Sequence, residues 1–180
     1  MTALPEGLTQ GTWTLDASHT TVAFTVRHAG ISKTRGQFTD VSGRMVIGEK
    51  LEDSRINAEI QIASLTTGNE DRDNHLKSAD FFDAEQFTAM AFTSTTFDGT
   101  TLKGDLSIKD VTKEVELDVD YEGAATDPFG SYRAGFSATT KISRKEFGLT
   151  WNAALEAGGV LVGDTVTITI DVEFTAPAAA

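Results

Sequence analysis

Apolar and polar side chains alternate along most of this chain, and a period of two residues is the signature of strands with one buried and one wet face. Residues 21–27 place Val22, Phe24 and Val26 on one side and Thr21, Ala23, Thr25 and Arg27 on the other. Residues 55–62 set Ile56, Ala58, Ile60 and Ile62 against Arg55, Asn57, Glu59 and Gln61. Val115, Leu117, Val119 and Tyr121 face a row of acids, and Val166, Ile168, Ile170, Val172 and Phe174 oppose threonines and acids. Strand patterns around "FTDVSGRMVI", "MAFTSTTF", "TLKGDLSI" and "YRAGFSATTKI", bounded by Gly, Asp and Asn turn signals, bring the expected number of strands to about eight.

Sequential strands with short connections make an antiparallel meander, which folds into a sandwich or closes on itself to remove its edges. Eight strands suffice for a barrel whose interior side chains fill, or that holds one small ligand. The expectation is one all-β domain over residues 1–180, with its core at about 11–175 and "APAAA" as a frayed end. In this register Val22, Phe24, Val26, Ile60, Leu106, Ile108 and Phe136 point inward. Ala58, Gly104 and Ala138 fit either a cavity or the packing of small residues against large ones.

Charge excludes some partners. The formal net charge of −12 repels nucleic-acid phosphates and anionic membrane surfaces, so nucleic acid is not an expected partner. Without cysteine there is no disulfide, thiolate nucleophile or sulfur metal site. No segment approaches the roughly 20 apolar residues of a transmembrane helix. The opening "MTALPEGLTQGTW" lacks the basic and apolar regions of a secretory signal, so the expected compartment is the cytoplasm.

The period breaks in one place, "NEDRDNHLKSADFFDAEQF" from Asn69. A cap-forming Asn, an acidic first turn and the absence of β-branched residues predict a short helix to about Ala79. The tail that follows gathers Phe81, Phe82 and Phe87, more aromatic surface than a connector needs unless it packs over apolar groups. Such an insert plugs one end of a barrel, either as a gate for a ligand or as a cap on the core.

At "RDNHLKSADFFDAEQF" the chain resembles the YceI-like family of polyisoprenoid-binding proteins. "WTLDASHTTVAFTVRHAG" is similar to the family's opening strand, "GDLSIKDVTKEVELDV" to its central hairpin, and "GFSATTKISRKEFGLTWNAALEAGGVLVGDTVTITIDVEF" to its ending. The resemblance implies an extended antiparallel eight-stranded lipocalin-like β-barrel with a short helical insert. It also implies an amphiphile, a polyisoprenoid or a long acyl chain, as hydrophobic small-molecule ligand in the interior. The apolar pocket is then expected at Val22, Phe24, Val26, Ile60, Leu76, Phe81, Phe82, Leu106, Ile108, Phe136 and Trp151, with Arg72, Asn74 and His75 on a polar rim. Relatives are often homodimers, which makes a homodimer a family expectation. Asp110 stands at a turn position where the family often has Gly, and Asp tolerates the left-handed conformation that this position implies.

Chemistry finds little support in the residues. His19 and His28 are nine apart, and neither pairs with His75 at a metal-ligand spacing, so no metal is expected. There is no G-x-S-x-G turn and no Ser, His and Asp set that spacing singles out, so no catalytic residues are expected. "EAGGVLVGD" lacks the Lys and helix of a phosphate loop. Binding, storage or transport of a lipid, with no cofactor beyond the bound lipid itself, is the favoured function. The alternatives are a lipid-modifying enzyme using His75 or His28 as acid or base, and a structural or stress-related protein whose interior is full.

Overall fold

The computed structural model describes residues 2–177, so "APAAA" falls largely outside the described residues at 178–180. The elements are β1 (Gly11–Leu15), β2 (Thr21–His28), β3 (Ser32–Phe38), β4 (Val41–Ile47), β5 (Arg55–Gln61), β6 (Leu65–Thr66), α1 (Glu70–Lys77), β7 (Ala89–Phe97), β8 (Thr101–Ile108), β9 (Val111–Thr126), β10 (Tyr132–Ser143) and β11 (Val162–Thr175). All eleven strands join one antiparallel sheet.

Eleven strands make eight staves, because three staves are bent into halves. β1 and β2 pair respectively with β4 and β3, and β4 and β3 pair in turn with β5 and β6. The stave β1/β2 is therefore followed by β3/β4, β5/β6 and then β7 to β11 in chain order, each beside the next. The last stave returns to the first: β11 pairs with β2 along 162–171 and with β1 at Thr14↔Thr175 and Leu15↔Phe174. The meander is a closed eight-stranded antiparallel barrel: of the two folds that the alternation allows, a sandwich or a barrel, it takes the one that the family resemblance implies.

Each of the eight sequence patterns falls in a different stave, and what they miss are the halves β1, β3 and β6. β3 is hidden because its inward positions are Thr34, Gly36 and Phe38, only one of which is strongly apolar. Besides a register shift between Val162 and Val166 of β11, two one-residue bulges break the simple period. One in β7, between Ser94 and Thr96, shifts the inward face from Met90 and Phe92 to Phe97. The other leaves Glu122 unpaired on β9, opposite Gly135 and Phe136 of β10, where Gly123 takes φ +117°. In the β8–β9 turn the left-handed residue is Lys109, at φ 57°, not the expected Asp110.

The seam where β11 meets the first stave carries a polar clamp. The bend between β1 and β2 is a short 3-10 turn at Ala17–His19, capped by Asp16, whose carboxylate accepts from Ser18 N and Oγ. Arg133 on β10 reaches across β11: Nη1 donates to Asp16 Oδ2 and to Glu173 Oε2, and Nε donates to Asp127 Oδ2 at 2.7 Å. Backbone reinforces this contact, with Asp16 N donating to Glu173 O at 2.9 Å. The hydrogen bonds from Ser18, Arg133 and His19 hold the Asp16 carboxyl well below the usual carboxylate range, and Arg133 does the same for Asp127.

These depressed carboxyls contribute stability above the ordinary carboxylate pKa, and it is lost as pH falls through their folded values. Arg133→Met is therefore expected to lower the melting temperature most at pH about 7, and by progressively less as pH falls toward about 2, below the ordinary carboxylate range, where the unfolded Asp16 and Asp127 are already protonated and the advantage of the paired folded carboxylates shrinks. Thermal melts of both proteins across that range check it. An equal deficit at both ends would show that Arg133 acts through packing and not through charge.

Candidate functional site

Inward-facing side chains pack into two plugs with a space between them. One plug gathers Trp13, Met45, Ile47, Leu51, Phe97, Leu117 and Phe174 at one end of the barrel. The segment before β1 is tied over that end by three aromatic donors: Trp13 Nε1 to Thr9 O at 2.9 Å, Tyr121 Oη to Glu6 O at 2.9 Å and Tyr132 Oη to Gly7 O at 2.7 Å. The other plug contains Phe38, Ile62, Leu65, Phe81, Phe147 and Leu149.

The second plug depends on the helical insert. Asn69 caps α1, its side-chain oxygen accepting from Arg72 N at 2.9 Å, and Asp73 Oδ1 accepts from Thr67 N at 2.8 Å, which fixes the helix to the end of β6. After the helix, Asp83 takes the left-handed conformation at φ 51° and the chain doubles back, Phe82 N donating to Leu76 O and Ala84 N to Lys77 O. This turn drives Phe81 into the core, 5 % exposed, and sets Phe82 edge-on to Phe38 with ring centres 5.8 Å apart.

Between the plugs lies a cavity of about 240 Å³. One water needs about 10–15 Å³ on the same measure, so the space holds on the order of twenty groups the size of water or methylene. Val22, Phe24 and Val26, together with Val166, Ile168 and Ile170, are only half-buried although they face inward, because the cavity is what they face. Thr20, Thr140 and Arg144 are the polar residues among those that line it, and the surface presented to the cavity is apolar throughout.

Two phenylalanines are held flat against the wall by glycines. A Cβ on Gly36 would lie 2.4 Å from Phe24 Cζ, and one on Gly104 would lie 2.4 Å from Phe92 Cζ. The rings occupy the places of missing side chains on the neighbouring strand and leave the middle of the barrel open. Gly104 therefore creates space through Phe92 without itself reaching the cavity, whereas Ala58 and Ala138 line it directly.

Of the expected pocket residues, Val22, Phe24, Val26, Ile60, Leu76, Phe81, Phe82, Leu106, Ile108 and Phe136 all line the cavity. Trp151 does not: it packs behind the second plug, 5.6 Å from the Phe81 ring and 4.6 Å from that of His75. The expected polar rim does not converge on the cavity either. Arg72 turns back on its own loop, Nε to Thr67 Oγ1 at 2.7 Å and Nη2 to Thr67 O at 2.9 Å, because those acceptors flank the start of α1. Asn74 is exposed on the outer face of the helix. His75 is clamped edge-on by Trp151 and Phe81, with Nε2 2.9 Å from Asp80 Oδ2. His28 is exposed at the end of β2, so no histidine lines the cavity.

Two polar features escape spacing arguments. Asp16, His19 and Glu173 bring three ligand-type atoms within 4.8 Å of one another, a grouping that joins residues over 150 positions apart, and Arg133 already supplies its positive charge. Arg144 is the other, a cation 5 % exposed in the cavity wall. Nothing in its local pattern marks it out from the exposed Lys145 that follows. No helix among the described residues is long and apolar enough to cross a membrane.

Residues 13–174 match the YceI-like domain family. A UPF0312 protein of Staphylococcus aureus strain USA300 is 36% identical over 165 residues, covering 90% of this chain and 96% of its own. The crystal structure of the Campylobacter jejuni YCEI protein superposes with a TM-score of 0.67 at 31% identity, over 84% of this chain and 90% of that one. A polyisoprenoid binding domain from Saccharophagus degradans implicated in plant cell wall breakdown has the same fold, with a TM-score of 0.72 at 13% identity over 92% of this chain and 98% of that one. A closed barrel of eight staves with a helical insert, matched from Trp13 to Phe174, makes this chain a member of the YceI-like family.

Proposed function

We propose that the protein is a non-enzymatic carrier or reservoir for a hydrophobic amphiphile, a polyisoprenoid or a long acyl chain, held in the barrel. The observation that carries this reading is the apolar cavity left between two packed plugs. A core built only for stability closes such a space, since interiors otherwise pack like organic crystals. Each methylene removed from water contributes roughly 0.8 kcal/mol, so a tail of about fifteen carbons gains on the order of 12 kcal/mol before ordering costs. Retention then needs shape and an apolar lining, and neither metal nor cofactor. The polyisoprenoid binding domain of Saccharophagus degradans supports the same class of ligand. An enzyme using His75 or His28 finds no support in the geometry, because neither ring reaches the cavity.

Native mass spectrometry of the purified protein, followed by solvent extraction, tests the proposal. Stoichiometric lipid, or tight uptake of a fluorescent isoprenoid analogue by stripped protein, is expected. Protein that is empty and takes up no chain would mean that the cavity is only a packing defect.

Phe24→Asp is expected to abolish retention and to cost several kcal/mol of stability, because a carboxylate facing apolar walls must be desolvated or protonated. A variant that melts like the parent and still carries lipid would overturn the assignment of this wall.

Gly36→Ala probes capacity without adding charge. The atoms nearest the new methyl belong to the side chains of Phe24 and Thr67, so the Phe24 ring is expected to swing inward. The loss of about one methylene of room predicts at least a roughly fourfold weaker affinity for the longest chain that fits, with shorter chains unaffected. Titration with acyl chains of graded length reads this directly, and a uniform loss at every length would contradict it.

A further inference from the structure

The cations of this chain are not distributed as its acids are. From Thr21 to Thr39 there is no Asp or Glu, in a chain with 27 of them, and the same stretch holds Arg27, Lys33 and Arg35. The β2–β3 hairpin brings the three together. Arg27 lies directly opposite Lys33 and Arg35 opposite Thr25, on the outward parity of their strands, and all three cations are exposed. Like charges directly opposed on one face of an antiparallel pair are unfavourable. No salt bridge or side-chain hydrogen bond of theirs is present among the described residues to offset that repulsion.

The tip of the same hairpin is apolar. Ala29 and Gly30 turn the chain at φ 52° and 70°, and the turn presents Ile31, 83 % exposed. Beside it the loop 148–161 doubles back through the Ala154↔Val160 bridge and leaves Val160 49 % exposed. Backbone joins the two loops: Ala29 N donates to Leu161 O at 2.7 Å, and His28 pairs with Val162. Two of the four large apolar residues that stand exposed among the described residues therefore share one end of the barrel, next to the three cations. The loop 148–161 adds one acid, Glu156.

We propose that this end of the barrel docks on an anionic lipid surface, with Ile31 and Val160 entering between the head groups and Arg27, Lys33 and Arg35 set against their phosphates. A convex apolar tip with a basic collar suits a bilayer, which needs no matching pocket to receive the isoleucine. The formal net charge of −12 predicts repulsion only if charge is spread evenly. Screening acts over about 8 Å at physiological ionic strength, so the charges that touch the surface decide and the acids farther round the barrel count for little.

The docking stands whatever the barrel holds. Its use rests on the carrier reading: Val26 and Val162, directly behind the two loops, line the cavity, so a docked barrel brings its lumen to the surface from which a hydrocarbon chain is taken or to which it is returned.

The test is flotation of the purified, lipid-stripped protein with vesicles of phosphatidylcholine alone or mixed with phosphatidylglycerol in about equal parts, at about 0.1 M and about 0.5 M salt. Binding is expected on the mixed vesicles at low salt, with most of it lost at high salt and little on phosphatidylcholine. Lys33→Gln is expected to weaken it about fivefold, the worth of one cation near an anionic surface, and Ile31→Ser about tenfold. Both side chains are exposed, so neither change is expected to move the melting temperature. Lys50→Gln, beside the plug at the opposite end, serves as the control and is expected to bind like the parent. No binding to either vesicle, equal binding to both, or the same loss in Lys50→Gln as in Lys33→Gln would overturn the proposal. Each of these results leaves the carrier reading standing, because lipid extraction tests that reading separately.

Discussion

A curled sheet with an apolar concave face is stable only if its two edges meet, and here that meeting depends on β11. This strand pairs with β10 along one side and with β2 and then β1 along the other, so a single fourteen-residue segment closes the barrel. Among the described residues the ladder pairs that join β11 to β1 are Thr14↔Thr175 and Leu15↔Phe174, and the first stave bends away just beyond them. Arg133 secures this weak corner from the third strand over, by binding carboxylates on the bend, on β11 and in its own hairpin. Everything that lies inside, the plugs and the space between them, presupposes that closure.

Closure alone does not make a cavity. An eight-stranded barrel is just wide enough for ordinary side chains to fill. Space survives here because bulk is sorted by height: large residues crowd both ends, while Ala58, Ala138 and two phenylalanines lying on glycines thin the middle. The insert between β6 and β7 supplies one of those ends. Its buried Phe81 is as much core as any strand residue, and its helix contributes Leu76 to the lining while its polar residues turn outward.

The fold was largely legible because alternation and closure obey rules that act over short distances. Each inward series, from Val22 to Phe174, could be assigned by counting in twos. The count failed where a wall residue is small for a neighbour's sake, as Gly36 is beneath Phe24, and where a bulge adds a residue, as at Thr95. The site was legible only in its apolar part. Arg72 and His75 stand out in the sequence as polar residues on the insert, but nearby acceptors at Thr67 and Asp80 hold them in place. Arg144 was invisible because its partners are carbonyls of residues up to 19 positions away, and backbone acceptors leave no mark in a sequence. The Asp16, His19, Glu173 and Arg133 cluster is hidden for a different reason: its side chains meet because the seam unites distant parts of the chain.

The division of the interior into two plugs has an evolutionary consequence. Trp13, Met45 and Leu51 at one end and Ile62, Leu65 and Phe147 at the other are nearly inaccessible, and they hold the barrel together whether or not the middle is occupied. Side chains around the lumen, half-buried because they face the cavity, carry less of the packing burden. Substitutions there change which molecule fits at small cost to the scaffold. Such an architecture lets the shape of the waist drift while the frame stays the same, with selection on folding acting at the ends of the barrel.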